Sequence, residues 1–97
     1  MPRERLPNRR PTITHDLEFG GDRYHVSIGY TLSAEPKEVF IRGAKTGSHL
    51  DELLDDAAVC ISIALQNGVN AAELQRSLGD SIVSRVVRLL DGPPKLS

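Results

Sequence analysis

The hydrophobic pattern of this chain changes its period once, near Ser48, and that change constrains the fold more than any other feature. Between Thr12 and Arg42, apolar and polar residues alternate, as they do in strands that bury one face. From Leu50 to Leu65, the apolar residues follow the 3, 4, 7, 8 spacing of an amphipathic helix. A chain of 97 residues has room for one such domain. The pattern predicts an α+β domain with helices packed on one face of a sheet.

Three strands are predicted in the first half of the chain. The first strand runs from Thr12 to Phe19, and Gly20-Gly21-Asp22 supplies the tight turn after it. The second strand places four aromatic or β-branched residues on one face: Tyr24, Val26, Ile28 and Tyr30. A loop over 31–36 leads to a third strand over 38–42, which completes an antiparallel meander.

Three helices follow, which gives the order β-β-β-α-α-α. The first is predicted over 49–67, between an N-cap at Ser48 and a stop at Gly68. The second is predicted over 71–78 with Asn70 as its N-cap, and the third over 80–90. The first helix is apolar nearly all round in its second half, where Val59, Cys60 and Ile63 leave the main stripe. We therefore expect a later helix or a second subunit to cover it, and we predict a homodimer.

The predicted domain occupies residues 12–92, between a basic arm at 1–11 and a short tail at 93–97. The arm holds three prolines and one acidic residue against four arginines: Arg3, Arg5, Arg9 and Arg10. It is either a solvated tail, a surface for phosphate, nucleic acid or an acidic protein, or a segment folded back on the acidic start of the first helix. A net charge of -1 and an aromatic content of 4% argue against nucleic-acid binding.

Composition narrows the class of protein further. With 39% hydrophobic and 26% charged residues, the chain has the balance of a globular domain. It has no apolar run long enough to span a membrane and no secretory signal, and its single Cys60 cannot form an internal disulfide. We expect a cytoplasmic protein without a membrane association. One cysteine and three histidines predict no metal site, and no other cofactor is expected.

The glycine-rich loop between the third strand and the first helix is the predicted anion or nucleotide site. Its candidate residues are Gly43, Lys45, Gly47 and Ser48. Backbone N–H groups at a helix N-terminus attract anions, and Lys45 adds a positive charge. The acidic residues that open the helix compete with a phosphate. The alternative is a plain strand-to-helix turn with a capped helix.

No catalytic residue is predicted. His15 lies in the apolar register of the first strand, which indicates a buried, hydrogen-bonded side chain. His25 faces away from the tyrosines, His49 lies in the first helical turn, and no spacing ties the three histidines together. Cys60 lies on the apolar helix without a nearby basic residue, so a buried and inert thiol is expected.

Four segments together resemble the TSCPD domain family: the arm "RERLPNRRPT", the hairpin "FGGDRYHVSIGY", the segment "EVFIRGAKTGS" and the helix "LDELLDDAAVCISIALQNGV". That family occurs at the C-terminal end of adenosylcobalamin-dependent (class II) ribonucleotide reductases and in short free-standing bacterial and phage proteins. The resemblance covers about residues 3–75. The Thr-Ser-Cys-Pro-Asp signature of the family is absent, and no cysteine tail follows Leu90.

The resemblance implies a module linked to a reductase and not a reductase. Ribose reduction needs a radical generator, a set of active-site cysteines and a large barrel, which this short chain with one cysteine cannot hold. We expect a non-catalytic binding or regulatory module that docks on a larger protein or senses a nucleotide phosphate. One alternative is a small phage-type protein that blocks a host protein through the acidic helix face. Another is an electrostatic nucleic-acid binder that uses the arm.

Overall fold

Three antiparallel strands are followed by three helices, which confirms the predicted α+β arrangement. The computed structural model describes residues 11–43 and 49–91. The strands are β1 (Thr12–Phe19), β2 (Asp22–Tyr30) and β3 (Pro36–Gly43), and the helices are α1 (His49–Gln66), α2 (Ala71–Ser77) and α3 (Ile82–Leu90). The predicted start of β3 at 38 is two residues late, and the predicted start of α3 at 80 is two residues early.

The sheet has the strand order β1-β2-β3, and a two-residue turn sets the register of its first hairpin. Phe19 pairs with Asp22, and the two glycines between them have φ angles of 61° and 83°. Both angles lie in the left-handed region that favours glycine, as a type I′ turn requires. Counting back from this turn brings each β1 residue opposite a defined β2 residue, such as Ile13 opposite Ile28.

One face of the sheet builds the core with the helices. The predicted inward residues of β2 are buried, and they are joined by Val39 and Ile41 of β3. The helical side chains of this core are Leu54, Ala58, Ile61, Leu65, Ala71, Ile82, Val86, Val87 and Leu90. The opposite face of the sheet is mainly polar, with Thr14, Asp16 and His25 exposed, although it also carries the exposed Phe40 of β3.

Helix α1 lies along the outer edge of β3 and satisfies its main-chain groups with side chains. The buried Ser62 hydroxyl accepts a hydrogen bond from the Val39 N–H at 2.9 Å. The amide of Gln66 donates to the carbonyl of Lys37 at 3.0 Å, and the ammonium of Lys37 donates to the carbonyl of Leu65 at 3.1 Å. These contacts close the Lys37–Val39 part of the β3 edge to further strand pairing.

The ends of the helices are defined by local caps. Asn70 accepts a hydrogen bond from the Glu73 N–H at 2.9 Å, as its predicted N-cap role requires. Ser81 and Ser84 form a reciprocal capping box, which is why α3 begins at Ile82 and not at Asp80. Gly68 follows α1 with a φ of 92°, which confirms the predicted stop. None of the helices in the described ranges is both long and apolar enough to cross a membrane.

Candidate functional site

The predicted anion loop is described only at its first residue. Gly43 ends β3, where it pairs with Tyr24. Lys45, Gly47 and Ser48 lie outside the described residues, as do the four arm arginines Arg3, Arg5, Arg9 and Arg10. The segment does connect the end of a strand to the start of an 18-residue helix, and Asp51 and Glu52 occupy the first turn of that helix. The roles of the loop in anion binding and of the arm in partner binding therefore remain predictions from the sequence.

A pair of titratable side chains on the polar sheet face was not predicted. Nδ1 of His25 lies 2.7 Å from a carboxylate oxygen of Asp16. The pair follows from the hairpin register, since stepping back from the Gly20-Gly21 turn along both strands places Asp16 opposite His25. Counting from the glycine pair is the signal that would have found it. This hydrogen bond orients the imidazole.

The surroundings of this pair do not make a catalytic centre. His25 and Asp16 are 55% and 70% exposed, and an ion pair in water contributes little to stability or binding. Arg42 lies opposite His25 on the next strand, so the row carries charges of both signs. Within residues 11–43 and 49–91, no cluster of three or more histidine, cysteine or carboxylate side chains is placed to hold a metal ion.

The other two histidines and Cys60 differ from their expected environments. His15 is only half-buried, although it lies on the core face as predicted. His49 is exposed, with Nδ1 at 3.9 Å from a carboxylate oxygen of Glu52. The prediction of a buried Cys60 is wrong, because its thiol lies on the side of α1 that the sheet does not cover.

The side of α1 that the sheet does not cover carries several exposed apolar side chains. Leu53 and Val59 are 65% and 56% exposed, and Leu50, Cys60 and Ile63 are also exposed. We call these five residues the α1 outer face. Within the described part of the chain, α2 and α3 leave this face open, so the expected cover from a later helix is not present there. Several exposed apolar side chains on one side of a helix mark an interaction site more often than a single exposed residue does.

A cleft of about 340 Å³ lies near the C-terminal end of α1, between the start of β3 and the start of α2. Lys37, Leu65 and Asn70 are among its lining residues. The ammonium of Lys37 is committed to the Leu65 carbonyl and lies 3.8 Å from a carboxylate oxygen of Glu35. Its positive charge therefore stabilises the C-terminal end of α1 instead of pointing at a ligand.

Comparison with known proteins places this fold in a family. The profile of the TSCPD domain matches residues 2–92. The vitamin B12-dependent ribonucleotide reductase of Rhodopirellula baltica is 37% identical over 67 residues, which are 69% of this chain and 6% of that protein. The enzyme of the same name from Agrobacterium fabrum is 34% identical over 71 residues, or 73% of this chain and 6% of the relative.

The matched segment covers most of this chain but only a small part of each relative. In the vitamin B12-dependent ribonucleotide reductase of Streptantibioticus cattleyicolor, the 34% identical segment of 67 residues covers 69% of this chain and 11% of the enzyme. No solved structure matches the chain. Since the domain profile extends over nearly the whole sequence, this chain belongs to the TSCPD domain family.

Proposed function

We propose that this chain is a non-catalytic docking module that binds a larger protein through the α1 outer face. The observation that carries the proposal is the exposure of Leu50, Leu53, Val59 and Ile63 on one helix whose opposite side is packed against the sheet. Burying one such side chain contributes about 1.5–3 kcal/mol, so a few of them supply a useful binding energy.

The charges on α1 indicate what the partner surface looks like. The exposed carboxylates Glu52, Asp55 and Asp56 border the apolar residues in the first half of the helix. Helix α1 contains no lysine or arginine. A complementary surface is therefore apolar at its centre, with basic groups placed against the first half of α1.

The relatives indicate the class of partner. Three of them are named vitamin B12-dependent ribonucleotide reductases, and each is far longer than the segment it shares with this chain. In each relative the matched segment lies within a far larger enzyme, so such an enzyme offers a surface on which this domain can dock. We therefore propose a vitamin B12-dependent reductase as the docking partner. The single Cys60 of this chain supports a role that requires no dithiol chemistry.

Biolayer interferometry with the purified vitamin B12-dependent reductase of Rhodopirellula baltica tests this proposal. The double variant Leu53→Glu/Val59→Glu places two charges on the α1 outer face and should weaken binding by about tenfold or more. Leu32→Glu is the matched control, because Leu32 is 82% exposed in the β2–β3 loop and is not part of the α1 outer face. Equal binding by the double variant, or no binding by the parent chain, would contradict the proposal.

The nucleotide-sensing alternative concerns the loop over 43–48 and stays a prediction. It is tested by titrating inorganic phosphate or a nucleotide and following amide shifts by NMR. Shifts at Gly47 and Ser48 that disappear in an Arg9→Ala/Arg10→Ala variant would support a joint anion surface of loop and arm. Unchanged shifts at millimolar ligand would rule out the site and the sensor.

The phage-type inhibitor and the nucleic-acid binder also stay predictions. Binding to DNA that weakens steeply with salt would favour the nucleic-acid binder, because phosphate contacts release counterions. Capture of a host protein unrelated to ribonucleotide reduction, lost in the Leu53→Glu/Val59→Glu variant, would favour the inhibitor.

A further inference from the structure

The outward main-chain groups on the two edges of the sheet differ in their hydrogen-bond partners. On the β3 edge, Ser62 and Gln66 of α1 hydrogen-bond to outward main-chain groups of Val39 and Lys37. On the β1 edge, no residue within 11–43 or 49–91 hydrogen-bonds to the outward main-chain groups of Thr14, Asp16 and Glu18. All three residues are exposed. An unprotected edge of this kind is a template for another strand.

The direction of these groups follows from the hairpin. In antiparallel pairs, hydrogen-bonded and non-hydrogen-bonded pairs alternate. The two-residue turn makes Phe19–Asp22 a hydrogen-bonded pair, and the Tyr30 N–H donates to the Pro11 carbonyl at 2.9 Å. Odd-numbered residues of β1 therefore point their main-chain groups toward β2. The even-numbered residues, including Thr14 and Asp16, point theirs away from the sheet.

We propose that the β1 edge pairs antiparallel with the β1 edge of a second copy of this chain. A two-fold axis relates the copies, so each contributes the same strand, and two three-stranded sheets become one continuous sheet. The occupant is a second copy because one antiparallel register of β1 on itself matches apolar with apolar side chains and places each Asp16 carboxylate opposite a hydroxyl, as the comparison of registers shows.

Two antiparallel registers overlap seven residues of β1 and pair its outward groups. In one register, Asp16 faces Asp16 of the second copy, so two carboxylates lie directly opposite each other, which is destabilising. In the other, His15 lies on the two-fold axis and Thr14 faces Asp16 of the second copy. The second register places each of these carboxylates opposite a hydroxyl instead of an acid.

The core side of β1 favours the same register. Ile13 and Leu17 are half-buried and pack against the core. With His15 on the axis, Ile13 of each copy faces Leu17 of the other, so apolar side chains meet across the new strand pair. The central pairs Thr14–Asp16 and Asp16–Thr14 exchange about four main-chain hydrogen bonds. The β1 edge thus offers main-chain bonding and side-chain matching in one alignment.

This contact is separate from the proposed docking surface, because the α1 outer face lies on a helix packed beside β3 and not beside β1. The homodimer that the apolar half of α1 predicted is thereby assigned to a different surface. A variant that breaks self-association through β1 leaves the α1 outer face intact.

Sedimentation velocity on the full chain at high micromolar concentration is the first test. The parent chain should sediment with twice its 10.6 kDa mass. Thr14→Pro removes an outward N–H without removing a bond to β2, a position where an edge strand tolerates proline, and it should give a monomer. Thr14→Ser keeps both the N–H and the hydroxyl and should remain a dimer. Circular dichroism checks that both variants are folded.

Disulfide trapping in a Cys60→Ser background tests the register and does not depend on the proline variant. His15→Cys brings the two Cα atoms of the axial pair to about 4.5 Å, within the range that a disulfide spans. Ile13→Cys is the matched control on the same strand and face, because its two copies lie about 13 Å apart in this register. Air oxidation should cross-link the first variant and not the second.

Three results would overturn the proposal. The first is a parent chain that stays monomeric at high micromolar concentration. The second is a dimer that survives Thr14→Pro and dissociates in Leu53→Glu/Val59→Glu, which would move self-association to the α1 outer face. The third is failure of His15→Cys to cross-link while the protein is dimeric. Loss of reductase binding in the Leu53→Glu/Val59→Glu variant with the dimer retained would support both proposals independently.

Discussion

Replacement of Ser62 by alanine tests whether the side chains of α1 stabilise the domain by closing the β3 edge. Ser62 is 6% exposed, and its hydroxyl is the partner of the Val39 N–H, a residue that is 2% exposed. In Ser62→Ala, this N–H loses its partner where water does not reach it. The hydroxyl also donates to the Ala58 carbonyl at 2.8 Å, but that is a helical carbonyl with its own main-chain bond.

The expected loss combines two opposite effects. Leaving a buried donor without a partner costs about 1–3 kcal/mol. Alanine is the better helix former by about 0.5 kcal/mol, which offsets part of that cost. The free energy of unfolding should therefore fall by about 0.5–2.5 kcal/mol. For a domain of this size, the corresponding decrease in Tm is about 2–20 °C.

Urea unfolding followed by circular dichroism at one fixed protein concentration measures this change. The midpoint should fall while the slope of free energy against urea stays constant, because the same surface is exposed on unfolding. Ser77→Ala is the matched control, since Ser77 is an exposed helical serine in α2. Its stability should change by less than about 0.5 kcal/mol. If Ser62→Ala is as stable as this control, the Val39 N–H does not depend on Ser62 and the account of the β3 edge is wrong.

Three further predictions concern the core, the turn and the response to pH. Leu54→Ala should lower the free energy of unfolding by about 2–5 kcal/mol in urea titrations, whereas Leu53→Ala, on the exposed side of the same helix, should change it by less than about 0.5 kcal/mol. Gly21→Ala should cost about 1–2 kcal/mol, because alanine is strained at a φ of 83°; Gly79→Ala, which meets neither strain nor a neighbouring atom, should not destabilise the protein. Burial raises the pKa of the Tyr30 phenol above its ordinary value, because the charged form is poorly solvated. Stability from this group should be complete below about pH 10 and fall as the pH rises through the raised pKa, and a Tyr30→Phe variant that loses stability over the same alkaline range to the same extent would refute this assignment.

Local signals in the sequence were sufficient to predict the strands and helices of the fold. The alternation from Thr12 to Phe19 predicts β1 with its observed bounds, because a strand with one buried face must alternate. The glycine pair predicts the hairpin, because the turn needs two residues with positive φ. Asn70 predicts the start of α2, because its amide oxygen bonds to a main-chain N–H three residues on.

Features that depend on how elements pack were missed or misjudged. Ser62 and Gln66 look like polar interruptions of an apolar helix, and only the position of α1 along β3 shows that they are buried partners of a strand edge. Cys60 was expected to be buried because the helix is apolar nearly all round, but the sheet covers only one side. The sequence gives no sign of a contact between α3 and the hairpin through Arg85, whose guanidinium lies 5.6 Å from the centre of the Phe19 ring and is only partly exposed.

In the candidate site, too, some features could be predicted from the sequence and others depend on packing. The register from the glycine turn contains enough information to pair Asp16 with His25, since main-chain geometry alone brings them together. The α1 outer face was visible in the sequence as an excess of apolar residues, but its exposure depends on where α3 packs. Within the predicted anion loop, the structure describes only Gly43, so the loop still rests on its sequence pattern.

The closed β3 edge also has a consequence for the order of folding. The hydrogen bonds that close it join residues 23 and 29 positions apart in the sequence. Once the strands and α1 have formed, only the short connection between β3 and α1 must be ordered for these bonds to form, so the entropic cost of loop closure is small. Until α1 docks, β3 presents Val39 and Ile41 beside unpaired main-chain groups, the combination from which intermolecular aggregation starts. Docking of α1 is therefore the step that protects the nascent sheet. Substitutions that delay it should lower the yield of refolding at high protein concentration more than they lower the equilibrium stability.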